Sequence, residues 1–282
     1  MTDRVIRPSS LTTAADCTRR WAAHNLAEMV LSAGYTLQPA RMTHVGAAVG
    51  SGIHAAALYT LGEKKDHGTL GNASEAEDRA VAEFDARAEY GLDWDETTAG
   101  LSVAKQQIAR MTGSFRRHLG PVLEPMVVEV RFDADLGGGW RLSGQPDVMT
   151  GDPGTTIRDL KTGVRRRMNA MQYGAYAMLI EAHGHDVVAI TEDYIPRVKV
   201  KAEQPPPLSV VIPVKDAALE AIEAIDDIRR STDEFERRTK DPQGRPPHTA
   251  YRANPASALC SARWCRAWGT SFCTAHKSEE PR

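Results

Sequence analysis

Two acidic segments separated by a turn sequence constrain this chain more than any other feature. Asp147 precedes the Gly-Asp-Pro-Gly turn at 151–154, and Asp159 and Lys161 follow it on either side of Leu160. On an extended strand, residues i and i+2 point to the same side, so Asp159 and Lys161 share a face while Leu160 turns to the core. The turn predicts a hairpin that returns Asp147 to the side of Asp159. Two carboxylates and one ammonium in one place suit a hard divalent cation and an activated water.

Further residues along the chain extend this pattern into an ordered set. In chain order the set is His54, Glu129, Asp147, Asp159 with Lys161 in Asp-Leu-Lys-Thr-Gly, and Gln172 with Tyr176 in Gln-x-x-x-Tyr. It resembles the PD-(D/E)xK nuclease superfamily and, within it, the RecB/AddB-like exonuclease branch, to which the iron–sulfur exonucleases of CRISPR adaptation are related. The resemblance covers roughly residues 8–275, and the ordered set is specific where a lone Asp-x-Lys is not.

The resemblance implies a deoxyribonuclease that depends on Mg²⁺ or Mn²⁺. Its expected activity is exonucleolytic hydrolysis of phosphodiester bonds, on single-stranded DNA or duplex ends, in recombination, repair or phage DNA metabolism. A helicase or recombinase is the kind of protein partner that it implies. The implied metal ligands are His54, Asp147, Asp159 and the backbone carbonyl of Leu160. Lys161 is expected to orient the attacking water and offset phosphate charge. Glu129, Gln172 and Tyr176 complete the implied catalytic set.

Two of these residues have ordinary alternatives, and so does the function. A histidine on an apolar helix is more often a core or surface residue than a ligand, but the position of His54 ahead of the acidic motifs favours a ligand. Glu129 is equally compatible with an exposed charge on a strand. The alternative function is a catalytically silent DNA-binding or scaffold subunit of a helicase–nuclease complex. Such members usually lose the aspartate or the lysine, both of which this chain retains.

Three consecutive arginines, Arg165, Arg166 and Arg167, follow the Lys-Thr-Gly step. A run of like charges is usually a solvated face. The formal net charge is −2, so no global basic field attracts nucleic acid and any DNA contact needs a local patch. At the mouth of a nuclease site this run would contact phosphates, and we expect it to bind DNA.

The chain has four cysteines, one near its start and three close together near its end. They are Cys17, Cys260, Cys265 and Cys273. In a reducing compartment such residues are more often metal ligands or free thiols than disulfides. Four thiolates suit a [4Fe–4S] cluster, as the resemblance implies, and also structural zinc, where His276 could replace a thiolate. Zinc and no metal therefore remain alternatives to the cluster. The intervals between the last three cysteines are longer than those of the relatives.

Composition indicates an intracellular globular protein. Hydrophobic residues make up 41% and charged residues 26% of the chain, which is ordinary for a soluble protein. No apolar run approaches the ~18–20 residues needed to span a bilayer. The first ten residues lack the apolar core of a secretory signal. We therefore expect a cytoplasmic protein without membrane contact, whether cellular or phage-encoded.

The resemblance implies an α/β fold, a small mixed β-sheet flanked by helices. It also implies a restriction-endonuclease-like core, with the chain ends pinned together by the cysteine centre. Helices are expected at 11–32, 43–62, 74–90, 98–119, 168–182 and 216–238, strands at 126–133, 140–144, 187–197 and 208–214, and a loose arm at 1–8. We expect one nuclease domain, with a helical part at about 11–120, a catalytic core at about 126–214, and a C-terminal helix and cysteine tail at about 215–276.

Overall fold

The computed structural model describes residues 4–40, 42–151, 154–167, 169–241 and 244–275. The helices are α1 Leu11–Asp16, α2 Thr18–Asn25, α3 Ala27–Ser32, α4 Val45–His67, α5 Ala73–Ala88, α6 Leu101–His118, α7 Ala170–Glu181 and α8 Val214–Lys240, with 3₁₀ turns at Pro8–Ser10 and Pro247–Ala250. The strands are β1 Arg4–Ile6, β2 Thr43–His44, β3 Leu92–Asp93, β4 Pro125–Val128, β5 Phe132–Gly137, β6 Trp140–Gly144, β7 Val148–Thr150, β8 Thr155–Gly163, β9 Val187–Pro196 and β10 Leu208–Ile212.

The central sheet has five strands in the order β10-β9-β8-β7-β4. Only β8 and β9 run parallel, and α7 makes the crossover that a parallel pair requires. The other three pairs are antiparallel, so the sheet is mixed. A second sheet, β1-β6-β5, lies beside α1 to α3 and α8. The expected α/β class with helices on the sheet faces is confirmed.

Alternation along the central strands divides their side chains between two hydrophobic layers. Val148 and Leu160 pack with α4, α5 and α6 on one face. Met149 and Ile157 pack with α7 on the opposite face. This period of two is what an extended strand dictates when both of its faces are covered. Charged residues of β8 and β9 are therefore held in fixed positions between helices.

Helix α4 is apolar on most of its circumference because it lies between the sheet and two other helices. It is long and apolar enough, by length and composition alone, to cross a membrane, which corrects the expectation that no segment comes near that threshold. However, 56% of its most apolar window is buried inside the protein, as in the core helix of a soluble protein. Gly50 permits close contact with β8, since a Cβ there would lie 2.8 Å from Thr162 Oγ1.

The N-terminal region differs from its expected structure in two ways. Residues 4–6 are not a loose arm but a strand that pairs in parallel with β6. The expected helix at 11–32 is three short helices, because Cys17 and Leu26 both leave the helical conformation. Cys17 instead caps α2, where its Sγ accepts a hydrogen bond from the Arg20 backbone amide. The breaks turn the Cys17 side chain towards the C-terminal segment.

Two further expectations need correction. The strand expected at 126–133 is divided into β4 and β5 at Glu129, which has φ of +46°. The helical period of α8 predicts that Leu219, Ile222, Ile225 and Ile228 face inward; Ile225 and Ile228 are buried, but Leu219 and Ile222 are 62% and 41% exposed. Its buried stripe instead includes Ala217 and Ala221, because small residues let α8 approach α7 closely. At Gly174 of α7, a Cβ would lie 1.8 Å from the Ala217 carbonyl oxygen.

Candidate functional site

The β7–β8 hairpin brings the two acidic segments together. Val148 pairs with Arg158, so Asp147, one residue earlier, lies beside Asp159. The Leu160 backbone amide donates a 2.6 Å hydrogen bond to Asp147 Oδ2. The strands agree with the expected hairpin, although residues 152 and 153 of its turn lie outside the described residues. Asp147 is thus oriented by the strand that carries the second motif.

Helix α4 presents His54 to the same carboxylate. His54 Nδ1 lies 3.1 Å from Asp147 Oδ1. Burial disfavours the imidazolium, but the charge and hydrogen bond of Asp147 outweigh it and raise the pKa of His54 to about 9. Burial alone would raise the pKa of Asp147, but the charges of His54 and Lys161 outweigh burial, so the pKa of Asp147 is lowered. Before a cation binds, the two groups form an ion pair.

Glu129 completes this group from the break between β4 and β5. Its backbone amide donates to the Asp147 carbonyl at 2.9 Å, and Gln145 Nε2 donates to its Oε2 at 3.3 Å. A left-handed conformation costs a non-glycine residue about 1–2 kcal/mol. Such strain persists where the surrounding structure imposes it, often at a functional site. Burial, and then the negative charge of Asp147, raise the pKa of Glu129.

The ligand atoms of His54, Glu129 and Asp147 all lie within 4.8 Å of one another. One imidazole nitrogen and two carboxylates form a donor set that fits Mg²⁺ or Mn²⁺. The Asp159 carboxylate, which the sequence also assigned to the metal, is not in this group, and the backbone carbonyl of Leu160 stays a predicted ligand. The structure thus brings Glu129 into the potential ligand set, whereas Asp159 is held by other partners.

Those partners are Lys161 and Gln172. Lys161 Nζ lies 2.6 Å from Asp159 Oδ2, and Gln172 Nε2 donates to Asp159 Oδ1 at 3.2 Å. Asp159 is 1% exposed, and this burial, opposed by Lys161, raises its pKa to about 6. Burial disfavours the Lys161 ammonium, but Asp159 and Asp147 outweigh it and raise the Lys161 pKa. The lysine therefore remains charged at neutral pH.

Gln172 and Tyr176 lie one turn apart on α7 and face the site together, as the i,i+4 spacing predicts. Gln172 Nε2 is 3.4 Å from the Tyr176 hydroxyl, which donates to the Gln145 carbonyl at 3.2 Å. These contacts tie α7 to both acidic segments. Within the protein, Gln172 contacts the Asp159 carboxylate rather than Lys161.

Sequence reasoning missed Glu192 and Tyr173. Glu192 lies on β9 directly opposite Asp159 and is fully buried. The Tyr173 hydroxyl donates to Glu192 Oε2, and Arg166 Nε donates to Glu192 Oε1. Two adjacent charged residues, Glu192 and Asp193, within a mostly apolar strand were the available signal, but strand pairing was needed to show that Glu192 joins the site. Arg165 and Arg167 are exposed on either side of Arg166.

The four cysteines line one pocket, although Cys17 is far from the others in the sequence. All four are free thiols, and three are buried while Cys260 is half-buried. Burial raises the pKa of Cys265 to about 11 and also raises that of Cys260. Arg19 Nη1 lies 3.7 Å from Cys273 Sγ. This convergence agrees with the expectation that the two chain ends meet at the cysteines.

The spacing of the thiols bears on which metal they could hold. Zinc–sulfur bonds of about 2.3 Å in a tetrahedron require sulfur atoms about 3.8 Å apart. Among the residues that the structure describes, no three cysteine sulfurs lie within 4.8 Å of one another. The described thiols are therefore not gathered at tetrahedral zinc spacing, and zinc stays an alternative to the cluster. His276, the alternative zinc ligand, lies outside the described residues.

The fold and the acidic site together define a nuclease of the PD-(D/E)XK class. The family model described as the PD-(D/E)XK nuclease superfamily matches residues 6–268, and the chain belongs to this superfamily. The solved structure of a candidate exonuclease from Eubacterium rectale is similar with a TM-score of 0.56 and 9% identity, over 92% of this chain and 87% of that one. At this identity the likeness supports the fold alone.

A second solved structure, of SSO0001, is much less similar. Its TM-score is 0.29 with 14% identity, over 74% of this chain and 80% of that one, and it carries no argument. No curated protein matches the sequence significantly.

Proposed function

We propose that this protein is a Mg²⁺- or Mn²⁺-dependent DNA exonuclease of the RecB/AddB-like kind, acting in recombination, repair or phage DNA metabolism. The observation that carries the proposal is the convergence of His54, Glu129 and Asp147 beside the Asp159–Lys161 pair. A silent scaffold has no need to retain a strained glutamate, a buried ion pair and a set of metal donors in one place. A helicase or recombinase is the partner class that fits this activity.

The chain's own residues have distinct roles in this proposal. A cation held by His54, Glu129 and Asp147 supplies Lewis acidity at a phosphate oxygen and lowers the pKa of its water. Lys161 orients the attacking water and offsets the growing negative charge on the phosphate. Asp159 holds Lys161 in place, and the Leu160 amide fixes the Asp147 carboxylate that faces the cation.

Two features of α7 and the loop before it complete the site. Gln172 fixes the Asp159 carboxylate, and Tyr176 ties α7 to the segment that precedes Asp147. The arginine run, Arg165 to Arg167, follows β8 and supplies a local concentration of positive charge on a chain whose formal net charge is −2. We assign the run to the DNA phosphates, which need such contacts for binding.

The cysteine pocket is proposed to hold a [4Fe–4S] cluster. Four thiols around one pocket supply its ligand set, and structural zinc is the alternative occupant. The raised pKa of Cys265 means that its thiol ionises at neutral pH only when a metal replaces the proton. The cluster would join the first helices to the C-terminal segment, as a structural element remote from the chemistry.

One experiment tests the nuclease assignment against the scaffold alternative. The protein is purified anaerobically, and labelled single-stranded and duplex DNA are incubated with it in Mg²⁺, Mn²⁺ or EDTA. We expect cation-dependent release of short products from DNA ends, lost in EDTA and in the Asp147→Asn variant. Binding without cleavage in either cation would favour the scaffold. Cleavage of closed circular DNA would identify an endonuclease instead.

A further inference from the structure

The three arginines that follow β8 differ sharply in their surroundings. The side chains of Arg165 and Arg167 are exposed and make no ion pair or hydrogen bond with the described residues. The side chain of Arg166 is 28% exposed and donates through Nε to the fully buried carboxylate of Glu192. One member of the run is therefore fixed by the core, while its neighbours are free to move in solvent.

Glu192 is itself held from a second direction. The hydroxyl of Tyr173, on α7, donates to Oε2, while Arg166 occupies Oε1. Glu192 pairs in register with Asp159 on the adjacent parallel strand, so the two side chains emerge on the same face about 4.8 Å apart at the backbone. Lys161 Nζ lies 5.8 Å from the centre of the Tyr173 ring. Arg166 is thus anchored, through Glu192, to the strand that lies next to Asp159 and Lys161.

The guanidinium of Arg166 retains an unused donor. Its Nη2 is buried and has no hydrogen-bond partner among the described residues. Buried donors are normally paired, because leaving one unpaired forfeits its hydration without return. A planar guanidinium whose Nε is fixed by a carboxylate presents its remaining N–H groups in a fixed direction, which suits a phosphate oxygen.

Resting on the proposed nuclease function, we propose that Arg166 is a catalytic residue that contacts the reacting phosphate, and that Glu192 is its positioning residue. Arg165 and Arg167 act differently, as mobile charges that attract the DNA backbone. Because a fixed donor favours the transition state, these separate roles predict that substitution of Arg166 changes mainly kcat. The two exposed arginines act mainly on KM and on the salt dependence of binding.

The test compares Arg166→Ala and Arg166→Lys with the matched variants Arg165→Ala and Arg167→Ala, using labelled DNA in Mn²⁺. We expect Arg166→Ala to lower kcat about 100-fold, as loss of one transition-state donor commonly does. Arg166→Lys should recover little, because a lysine lacks the planar fork. Guanidinium ions added to Arg166→Ala should restore part of kcat, which a purely structural defect would not allow. Arg165→Ala and Arg167→Ala should raise KM, and each should lower the slope of log K against log salt by about 0.7–0.9.

Glu192→Gln tests the positioning role, since it keeps the side-chain shape and removes the charge that holds Arg166. We expect a fall in kcat, and no further fall when Glu192→Gln is combined with Arg166→Ala. Thermal unfolding verifies that each variant is folded, and Arg166→Gln replaces any Arg166→Ala protein that is not. Equal effects of the three alanine variants, or additive effects in the double variant, would overturn the inference alone. Absence of cleavage by the parent protein in both cations would overturn the nuclease proposal with it.

Discussion

Glu129 allows the sharpest separation of stability from function, because its backbone is strained and its side chain lies in the acidic group. At neutral pH its ionised carboxylate is unfavourable, since burial and the neighbouring Asp147 raise its pKa. Glu129→Gln removes this charge but keeps the φ of +46°, whereas Glu129→Gly removes both. In EDTA, Glu129→Gly should therefore be the most stable protein, Glu129→Gln should be intermediate, and the parent should be the least stable.

The difference in stability between Glu129→Gly and Glu129→Gln arises from the conformational preferences of the backbone at position 129. Relief of left-handed strain contributes about 1–2 kcal/mol, and the extra freedom of glycine in the unfolded chain costs about 0.5–1 kcal/mol. The net gain of about 1 kcal/mol corresponds to a rise in Tm of about 2 °C for a chain of this size. Thermal unfolding at one scan rate, in EDTA and with the cysteine centre in the same state, measures this difference.

Cation binding should reverse the order. A ligand present at 100 times its Kd stabilises a folded protein by about 2.7 kcal/mol, so Mn²⁺ should raise the Tm of the parent far more than that of either variant. DNA cleavage should fall about 100-fold or more in both variants. A Glu129→Gly protein that is less stable than Glu129→Gln in EDTA would show that the backbone of Glu129 stores no strain. A parent-like response of either variant to Mn²⁺ would remove Glu129 from the ligand set.

Three other perturbations test separate parts of the site. Lys161→Ala should lower kcat about 100–1000-fold while circular dichroism shows an intact fold, and full activity would remove Lys161 from the chemistry. Mn²⁺ affinity should rise between about pH 7 and 9, as the His54 imidazolium loses its proton, and calorimetry should find this dependence lost in His54→Gln. The ion pair stabilises the cation-free protein fully below the ordinary histidine pKa of 6.5, and this contribution should fade as the pH rises through about 9. Cys17→Ser and Cys265→Ser should both lose iron, acid-labile sulfide and several degrees of Tm; loss in Cys265→Ser alone would exclude Cys17 from the centre.

Much of the candidate site could be predicted because it depends on local geometry. The shared face of Asp159 and Lys161 follows from a period of two, and that of Gln172 and Tyr176 from one helical turn. These relations hold whatever the rest of the chain does. On α8, the predicted inward residues Ile225 and Ile228 are buried, but Leu219 and Ile222 are exposed, because helical periodicity alone does not fix which face meets α7. The small size of Ala217 on α8 indicates close packing against a neighbouring helix, but this can be recognised only once the partner helix α7 is known.

Other features depend on contacts between distant segments and could not be predicted from local pattern. The φ of Glu129 is imposed where two strands of different sheets meet. Glu192 joins the site only because β9 pairs with β8 in one particular register. Likewise, β1 is three residues long and is defined by its pairing with β6. Each of these requires tertiary structure, which overrides the weak preferences of short segments.

The cysteine centre and the acidic site are joined through the start of α4. His44, the N-cap of that helix, lies 5.7 Å from Trp264 in ring-to-ring distance, and Trp264 directly precedes Cys265. The adjacent Arg263 pairs with Asp93 on β3, the strand next to His44. From His44 to His54 the helix rises about 15 Å as a rigid element. Loss of the proposed cluster should therefore loosen the end of α4 first and affect His54 only as that end frays. Activity lost with the cluster should thus be larger at high temperature than at low temperature, whereas activity lost with Lys161 should be lost equally at both.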